Sequence, residues 1–381
     1  MKKLLDYCSV SGSSVKNFSN EKKYIATGDV INNKVVSFEN VTYENKPSRA
    51  NQLAETDEIL FAKMKDTLKV LLIDDELSEN IYSTGFFVIK ANKDVVPKYL
   101  YWLFNSSKFN QDKDKNSKGA TQQAINLEGL NKILIKDIPN LEEQKKIIDK
   151  IEKAFEIIEL KKKQLQDLDE LIKSQFVEMF GDININDKLW KEDILRNHLK
   201  VIGGYAFKSS EFKNSGIPIL RIGNINTGYF RPKDLMFWNE EDKLKNYIIY
   251  PNDIVMSLTG TVGKDDYGNV CIMGRDYEKY YLNQRNAKLE LKDTLDKIYI
   301  SYALRVPEIK KRLTGISRGV RQANIANKDI ENLYIPIPPI ELQNQFADIV
   351  KQIDKQKFKI EKSLKEMKKL NESLMNKYFG E

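Results

Sequence analysis

Two stretches of the chain carry apolar residues at alternating steps of four and three, the spacing of a coiled-coil seam. In the first, the seam runs Ile147, Ile151, Ala154, Ile158, Lys161, Leu165, Leu168, Ile172, Gln175 and Met179. In the second it runs Phe346, Val350, Ile353, Lys357, Ile360, Leu364, Met367, Asn371, Leu374 and Tyr378. The two are copies at a fixed offset of 199 residues: Gln123-Ala124 leads to Phe180-Gly181-Asp182, and Gln322-Ala323 to Phe379-Gly380-Glu381. Polar residues in one seam face apolar equivalents in the other, Lys161 and Gln175 against Ile360 and Leu374, Lys357 and Asn371 against Ile158 and Ile172. Neither helix is an ideal partner for itself, so the economical pairing is of one with the other. Each run begins after proline, with Glu142, Glu143 and Glu341 at the end where the helix dipole favours acid. Some 39 residues at about 1.5 Å each give a rod of roughly 58 Å, the dimension of a spacer.

The rest of the chain alternates in shorter periods. Lys34–Phe38, Glu58–Ala62 and Gly85–Ile89 read as strands before the first helix, and Ile217–Ile225, Asp253–Leu258 and Asn269–Met273 before the second. Each set then ends in a short apolar helix, Val96–Phe104 or Lys297–Leu304. The order is similar and the detailed sequence is not, which suggests one fold with two surfaces. The divisions read as 1–140, a β-rich module; 141–181, a helix; 182–339, a second module; and 340–381, a second helix.

Composition narrows the class. A chain of 381 residues with 41% hydrophobic content supports two or three domains with proper cores. No apolar run reaches membrane-spanning length, and the N-terminus turns acidic at Asp6 before a signal-peptide core can form, so the expected location is the cytoplasm. Cys8 and Cys271 are far apart and outside any CxxC, which argues against a zinc or disulfide framework. The net charge of +7 collects outside the first helix: +2 in 1–140, −2 in 141–181, +5 in 182–339 and +2 in 340–381. An excess of this size fits nucleic-acid contact through one face without demanding it.

Catalytic signatures are missing. Ile335-Pro336-Ile337-Pro338-Pro339-Ile340 holds a Pro-Pro pair without the Asn or Asp of an amino-methyltransferase motif, and reads as a helix lead-in. Gly260-Thr261-Val262-Gly263-Lys264-Asp265 fails the phosphate-loop pattern in its glycine spacing and in the residue after Lys, and reads as a loop between strands. The single histidine, His198, has no metal or triad partners near it in sequence. The expectation is a chain without chemistry of its own: no catalytic residue, no metal and no cofactor.

With these residues in view, the chain resembles the specificity subunit of type I restriction–modification systems over its whole length. The phrases that carry the resemblance are Gly319-Val320-Arg321-Gln322 running into Leu333–Gln343, its weaker twin from Gly119 to Gln144, and Pro47-Ser48-Arg49-Ala50 followed by Asp57–Phe61. Gly203–Lys208, Leu220–Ile225 and Tyr281–Arg285 belong with them. The one departure is Ile138-Pro139-Asn140, which lacks the second proline and puts the stiffness of the first hinge in doubt. The resemblance implies an α+β fold: two β-rich target-recognition domains with short helices, joined by two long helices forming an antiparallel coiled coil. It implies that each module reads one half of a split double-stranded DNA site. It also implies that the helices fix the distance between halves and dock two modification (methyltransferase) subunits, which methylate adenine, with restriction (translocase/endonuclease) subunits joining that core. Equal helices with approximate two-fold symmetry lead to a bipartite, non-palindromic site with half-site centres about one helical turn, roughly 10 base pairs, apart.

Within the modules, candidate DNA contacts follow from side-chain chemistry. Arg49 is the sole arginine in residues 1–181, in a loop-like Pro-Ser-Arg stretch, and its fork suits guanine or phosphate; a plain surface role stays open. Arg318 and Arg321 flank Gly319 in a basic loop suited to phosphate, with Lys118 and Gln122 as first-module analogues. Tyr205, Phe207 and Lys208 interleave ring and charge beside two glycines, though Phe207 suits core packing equally. Arg221, Asn224, Asn226, Lys264, Asn283 and Gln284 complete the set as amide or basic side chains suited to base edges. Two other classes remain: a nuclease or methyltransferase fused to recognition domains, and a coiled-coil DNA-binding scaffold or regulator without a modification complex.

Overall fold

The computed structural model describes residues 1–225, 228–264, 266–315 and 322–380. By its contacts the chain divides into two compact units, Met1–Gln164 with Ile360–Glu381, and Leu165–Lys359, so each unit owns part of both long helices.

In the first unit a four-stranded antiparallel sheet has the spatial order Cys8–Val10, Phe86–Ala91, Ile59–Ala62, Val70–Leu72. Both faces are covered. Ile59, Phe61, Val70, Phe87 and Ile89 point into one core, and Leu60, Ala62, Leu71, Phe86 and Val88 into another. Alternate residues of a strand point to opposite faces, so a sheet buried on both sides requires the unbroken apolar runs seen in sequence. Each fully buried side chain of this kind contributes roughly 1.5–3 kcal/mol. A second sheet, Glu39–Val41, Lys22–Ile25, Ile81–Ser83, Ala50–Gln52, is antiparallel except for its central parallel pair.

The second unit repeats this topology strand for strand. One sheet is Leu199–Gly203, Asn286–Leu291, Ile254–Ser257, Val270–Ile272; the other is Met236–Trp238, Ile217–Leu220, Tyr280–Leu282, Ile248–Ile249, again with its central pair parallel. Even the small closing pairs correspond: Lys2–Lys3 with Leu134–Ile135, and Glu192–Ile194 with Tyr334–Pro336. Short helices follow at matching places, Pro97–Phe104 and Ser107–Lys115 in one, Lys297–Ala303 and Pro307–Thr314 in the other.

The long helices are Leu141–Phe180 and Ile340–Phe379. The first starts without the second proline because Asn140 caps it instead, its Oδ1 accepting from the Glu143 N–H at 3.0 Å. That bond meets the doubt over the first hinge. All twenty seam positions are buried or half-buried. Inside the first unit, Ile147, Ile148 and Ile151 of the first helix share a core with Met375 and Phe379 of the second. Inside the second unit, Phe176 and Phe180 pack on Phe346, with ring centroids 5.4 and 5.5 Å apart. The start of each helix meets the end of the other, so the pairing is antiparallel. The polar seam residue Lys357 is held by Asp169 at 2.6 Å.

Candidate nucleic-acid interface

Each module carries the same backbone frame where its strands end. In the first, the Lys63 N–H donates to the Gly85 carbonyl at 2.9 Å and the Ile125 N–H to the Lys63 carbonyl at 2.9 Å. In the second, the Leu258 N–H donates to the Arg285 carbonyl at 2.8 Å and the Ile325 N–H to the Leu258 carbonyl at 2.9 Å. Lys63 and Leu258 directly follow the buried strands Ile59–Ala62 and Ile254–Ser257. One frame therefore presents unlike side chains: lysine where its twin has leucine, glycine where its twin has arginine.

Around the first frame the loops are tied to one another. Arg49 is exposed, and its carbonyl accepts from the Thr84 N–H at 2.9 Å. Lys63 donates its ammonium to the Thr84 carbonyl at 2.8 Å, with the cation 4.5 Å from the Phe87 ring centre; burial lowers its pKa. Lys65 reaches Gln123 Oε1 at 2.9 Å. Lys118 and Gln122 are exposed in the adjoining loop, Lys118 pairing with Glu128 at 3.3 Å. That loop folds tightly over Gly119, at φ +141°, where a Cβ would lie 2.2 Å from the Gln122 carbonyl oxygen. Beneath it the fully buried Lys113 donates to the Met64 and Thr67 carbonyls.

In the second module the Tyr205 N–H donates to Leu282 at 2.8 Å and the Gln284 N–H to Tyr205 at 2.9 Å. Gly204 permits this approach, since a Cβ there would sit 2.2 Å from the Asn283 carbonyl oxygen. These bonds bring Tyr205, Asn283 and Gln284 together, while Asn286 Nδ2, 2.9 Å from the Leu220 carbonyl, ties in the strand that ends directly before Arg221. Lys208, Arg221, Lys264 and Gln284 are exposed; Tyr205 and Asn283 are half-buried.

Two expected contacts lie in the interior. Phe207 is 8% exposed, its ring 5.2 Å from Trp238 and 5.5 Å from Tyr281, so the core reading holds for it. Asn224 is 3% exposed and its carboxamide is fully engaged: Oδ1 accepts from the Arg221 N–H, and Nδ2 donates to the Arg231 and Lys233 carbonyls. It clamps a turn and has no donor left for a base. Asn226, Arg318 and Arg321 lie outside the described residues. Sequence reasoning did not single out Lys63, Lys65 and Arg285, which the structure places at or beside the frames; the signal available was the position of Lys63 directly behind a four-residue apolar run.

The groups considered for catalysis have structural occupations. His198 joins Thr294 Oγ1 at 2.7 Å and Asp193 Oδ2 at 3.1 Å. Thr259–Thr261 is a strand paired with Gln322–Asn324, and the Thr261 N–H donates to Asp266 Oδ1 at 2.8 Å, so a carboxylate takes the donor that a phosphate loop would offer. Cys8 and Cys271 are buried, each thiol pushed up to about 12 by burial. Among the described residues no cluster of His, Cys, Asp and Glu is arranged to hold a metal. Nor, among them, is any helix long and apolar enough to cross a membrane.

The sequence model of the type I restriction modification DNA specificity domain matches this chain twice, over residues 7–170 and 188–369. The specificity subunit of the type I restriction enzyme MjaVIII of Methanocaldococcus jannaschii is 27% identical over 257 residues, covering 61% of this chain and 60% of that protein. The putative MjaX specificity subunit of the same organism is 25% identical over 333 residues, covering 79% and 73%. A chain from a solved structure on complex assembly and conformational transition of the type I R-M system shares the fold with a TM-score of 0.66, at 22% identity, over 99% of this chain and 96% of that one. The type I restriction–modification S subunit from M. genitalium follows at a TM-score of 0.59 and 14% identity, covering 100% and 96%. Both halves of the chain fit the family, and the chain belongs to it: this is a DNA specificity subunit of the type I restriction–modification class.

Proposed function

We propose that the chain recognises a bipartite, non-palindromic DNA site, one module to each half, and directs adenine methylation and DNA cleavage carried out by modification and restriction subunits docked around it. The observation that carries this reading is the duplicated backbone frame with unlike side chains. A frame used twice on one DNA gives two equivalent, inverted poses; different side chains on it give two different half-sites. Arg49 and Arg285 are the readers we favour, because both are exposed, Arg285 is part of its module's frame and Arg49 is tied to Thr84 beside the other, and arginine reads guanine through two parallel hydrogen bonds. Lys118, Gln122, Lys208 and Lys264 suit phosphate contacts and loop positioning, with Arg318 and Arg321 in the same role. Tyr205, Arg221, Asn283 and Gln284 line the second reading loop. The chain itself performs neither methyl transfer nor strand cleavage.

The experiment is a reconstitution. The chain alone, given S-adenosylmethionine and DNA, should transfer no methyl group; with its modification subunit it should methylate adenines at one two-part sequence with an unread gap. Methyl transfer by the lone chain, or methylation at a continuous or palindromic site, would overturn the proposal. A complex that binds DNA without recruiting a modification subunit would favour a scaffold.

A further inference from the structure

Two glutamines, 199 residues apart, make the same set of bonds at the start of the two long helices. Gln144 Oε1 accepts from the Val96 N–H at 2.7 Å, while its Nε2 donates to the carbonyls of Asp94 at 2.9 Å and Pro139 at 2.8 Å. Gln343 Oε1 accepts from the Asp296 N–H at 2.8 Å, while its Nε2 donates to Thr294 at 3.2 Å and Pro338 at 2.7 Å. Both residues are 0% exposed. Each amide thereby joins three pieces of chain: the long helix that bears it, the lead-in before that helix, and the N-terminus of the short helix Pro97–Phe104 or Lys297–Ala303, where Val96 and Asp296 are the capping residues.

The chemistry of the site admits one side chain. A backbone N–H on one side needs an acceptor, and two carbonyls on the other need a donor with two hydrogens, which is the inventory of a primary amide at this length. Glutamate would turn a carboxylate onto two carbonyls, and methionine would fill the volume while leaving one donor and two acceptors without partners. Three bonds from one planar group also fix direction as well as distance. Ring packing alone constrains the junction less, because apolar contacts are non-directional.

We infer that Gln144 and Gln343 are positioning residues that lock each recognition module in one pose on its long helix and so set the gap between the half-sites. This rests on the two-part reading proposed above. A base-pair step is about 3.4 Å, so a module that rocks on its helix by a few ångströms spans sites whose gap is wrong by one.

The test uses the complete complex with its modification subunits. The substrates carry the native gap, a gap one base pair shorter, a gap one base pair longer, or a single base change within a half-site. For Gln343→Met, and separately Gln144→Met, we expect the preference for the native gap to fall about tenfold, the scale of losing one buried hydrogen-bonding group. The preference for the correct bases within each half-site should stay unchanged. Leu289→Ala, in the sheet core of the second unit, supplies the comparison: it should lower thermal stability and leave the gap preference intact. Gap preference retained in both glutamine variants, or lost only together with base preference, would overturn the inference. Hydrogen exchange on the wild-type protein needs no variant to fold. The Val96 and Asp296 amides should be protected, and exchange at the rate of free amides would overturn the clip. Absence of any two-part site in the wild-type complex would count against the functional reading, whereas unprotected amides count against the clip alone.

Discussion

The two units solve one packing problem with different chemistry. In the first, Trp102 of the short helix stacks on Phe155 of the long helix, centroids 4.6 Å apart at 29°. In the second, the matching positions are Tyr302 and Asp354. Tyr302 turns to Phe176 and Phe346 at 6.2 and 5.4 Å, and the Arg305 guanidinium lies 5.4 Å from its ring. Where Arg305 stands, the first unit has Asn105, which donates to the Tyr101 carbonyl at 2.8 Å. The anchoring rings farther along agree: Tyr99 meets Phe379 at 5.2 Å, and Tyr299 meets Phe180 at 4.8 Å. Duplication has kept the contacts that hold the helix ends and exchanged an apolar stack for a charged cluster one turn away.

The largest expected effect comes from forcing the first junction to imitate the second. Phe155→Asp removes the stack and places a carboxylate where no arginine answers it, which should cost about 3–5 kcal/mol in urea unfolding. Adding Asn105→Arg should recover part of that loss. A cost no greater than that of an exposed substitution would mean that the stack does not hold the junction.

Next in size are the reading surfaces, where the proposed function has the units differ in what they recognise. Arg49→Ala should relax base preference in one half-site only, and Arg285→Ala in the other only, each by about 1–3 kcal/mol of discrimination measured by methylation of single-base variants. Loss at both halves from either change would make these arginines general DNA contacts.

The smallest effect is a dependence on pH carried by Asp354 of the second unit, whose place in the first is taken by Phe155. Desolvation by the side chains around Asp354 raises its carboxyl pKa above the usual value, with Lys357 and Arg305 pulling it down and Asp169 pushing it up. A carboxyl whose pKa is higher folded than unfolded binds its proton better in the folded state, so it opposes folding at neutral pH and ceases to do so below the ordinary range near pH ~3.9. Asp354 is exposed, so Asp354→Asn should raise stability at pH 7 by less than about 1 kcal/mol, the gain fading as the pH falls toward that range. Melting temperatures across this range check it; a gain that grows in acid would reverse the sign.

The helices were legible because a seam is a local pattern, and every predicted seam position is protected. What the heptad count missed are Ile148, Phe176, Phe180, Met375 and Phe379, one place beyond the seam and all buried. They face a module as well as a helix, and no periodicity along one helix encodes a neighbour of another kind. The repeated module topology was harder to see because the register slips: Gly85 and Arg285 are 200 residues apart, Lys63 and Leu258 only 195. At the interface, Arg49, Lys208, Arg221 and Gln284 looked like surface residues and are exposed. Asn224 looked the same, because an amide that clamps a turn and one that reads a base share composition and a loop setting. Lys63, Lys65 and Arg285 gain their meaning from partners that fold back across the chain, which short phrases do not contain.

The frame in each module is closed by main-chain atoms alone: the Lys63, Gly85 and Ile125 backbones in one, the Leu258, Arg285 and Ile325 backbones in the other. Replacing a side chain at Lys63 or Arg285 therefore deletes no bond of that frame. At the exposed Arg285 a variant leaves that frame intact, while at Lys63 it gives up only the tie to Thr84 and the contact with the Phe87 ring. On the proposed two-part reading, a lineage carrying this scaffold has room to drift from one target to another through viable intermediates, and to do so in one half while the other stays fixed.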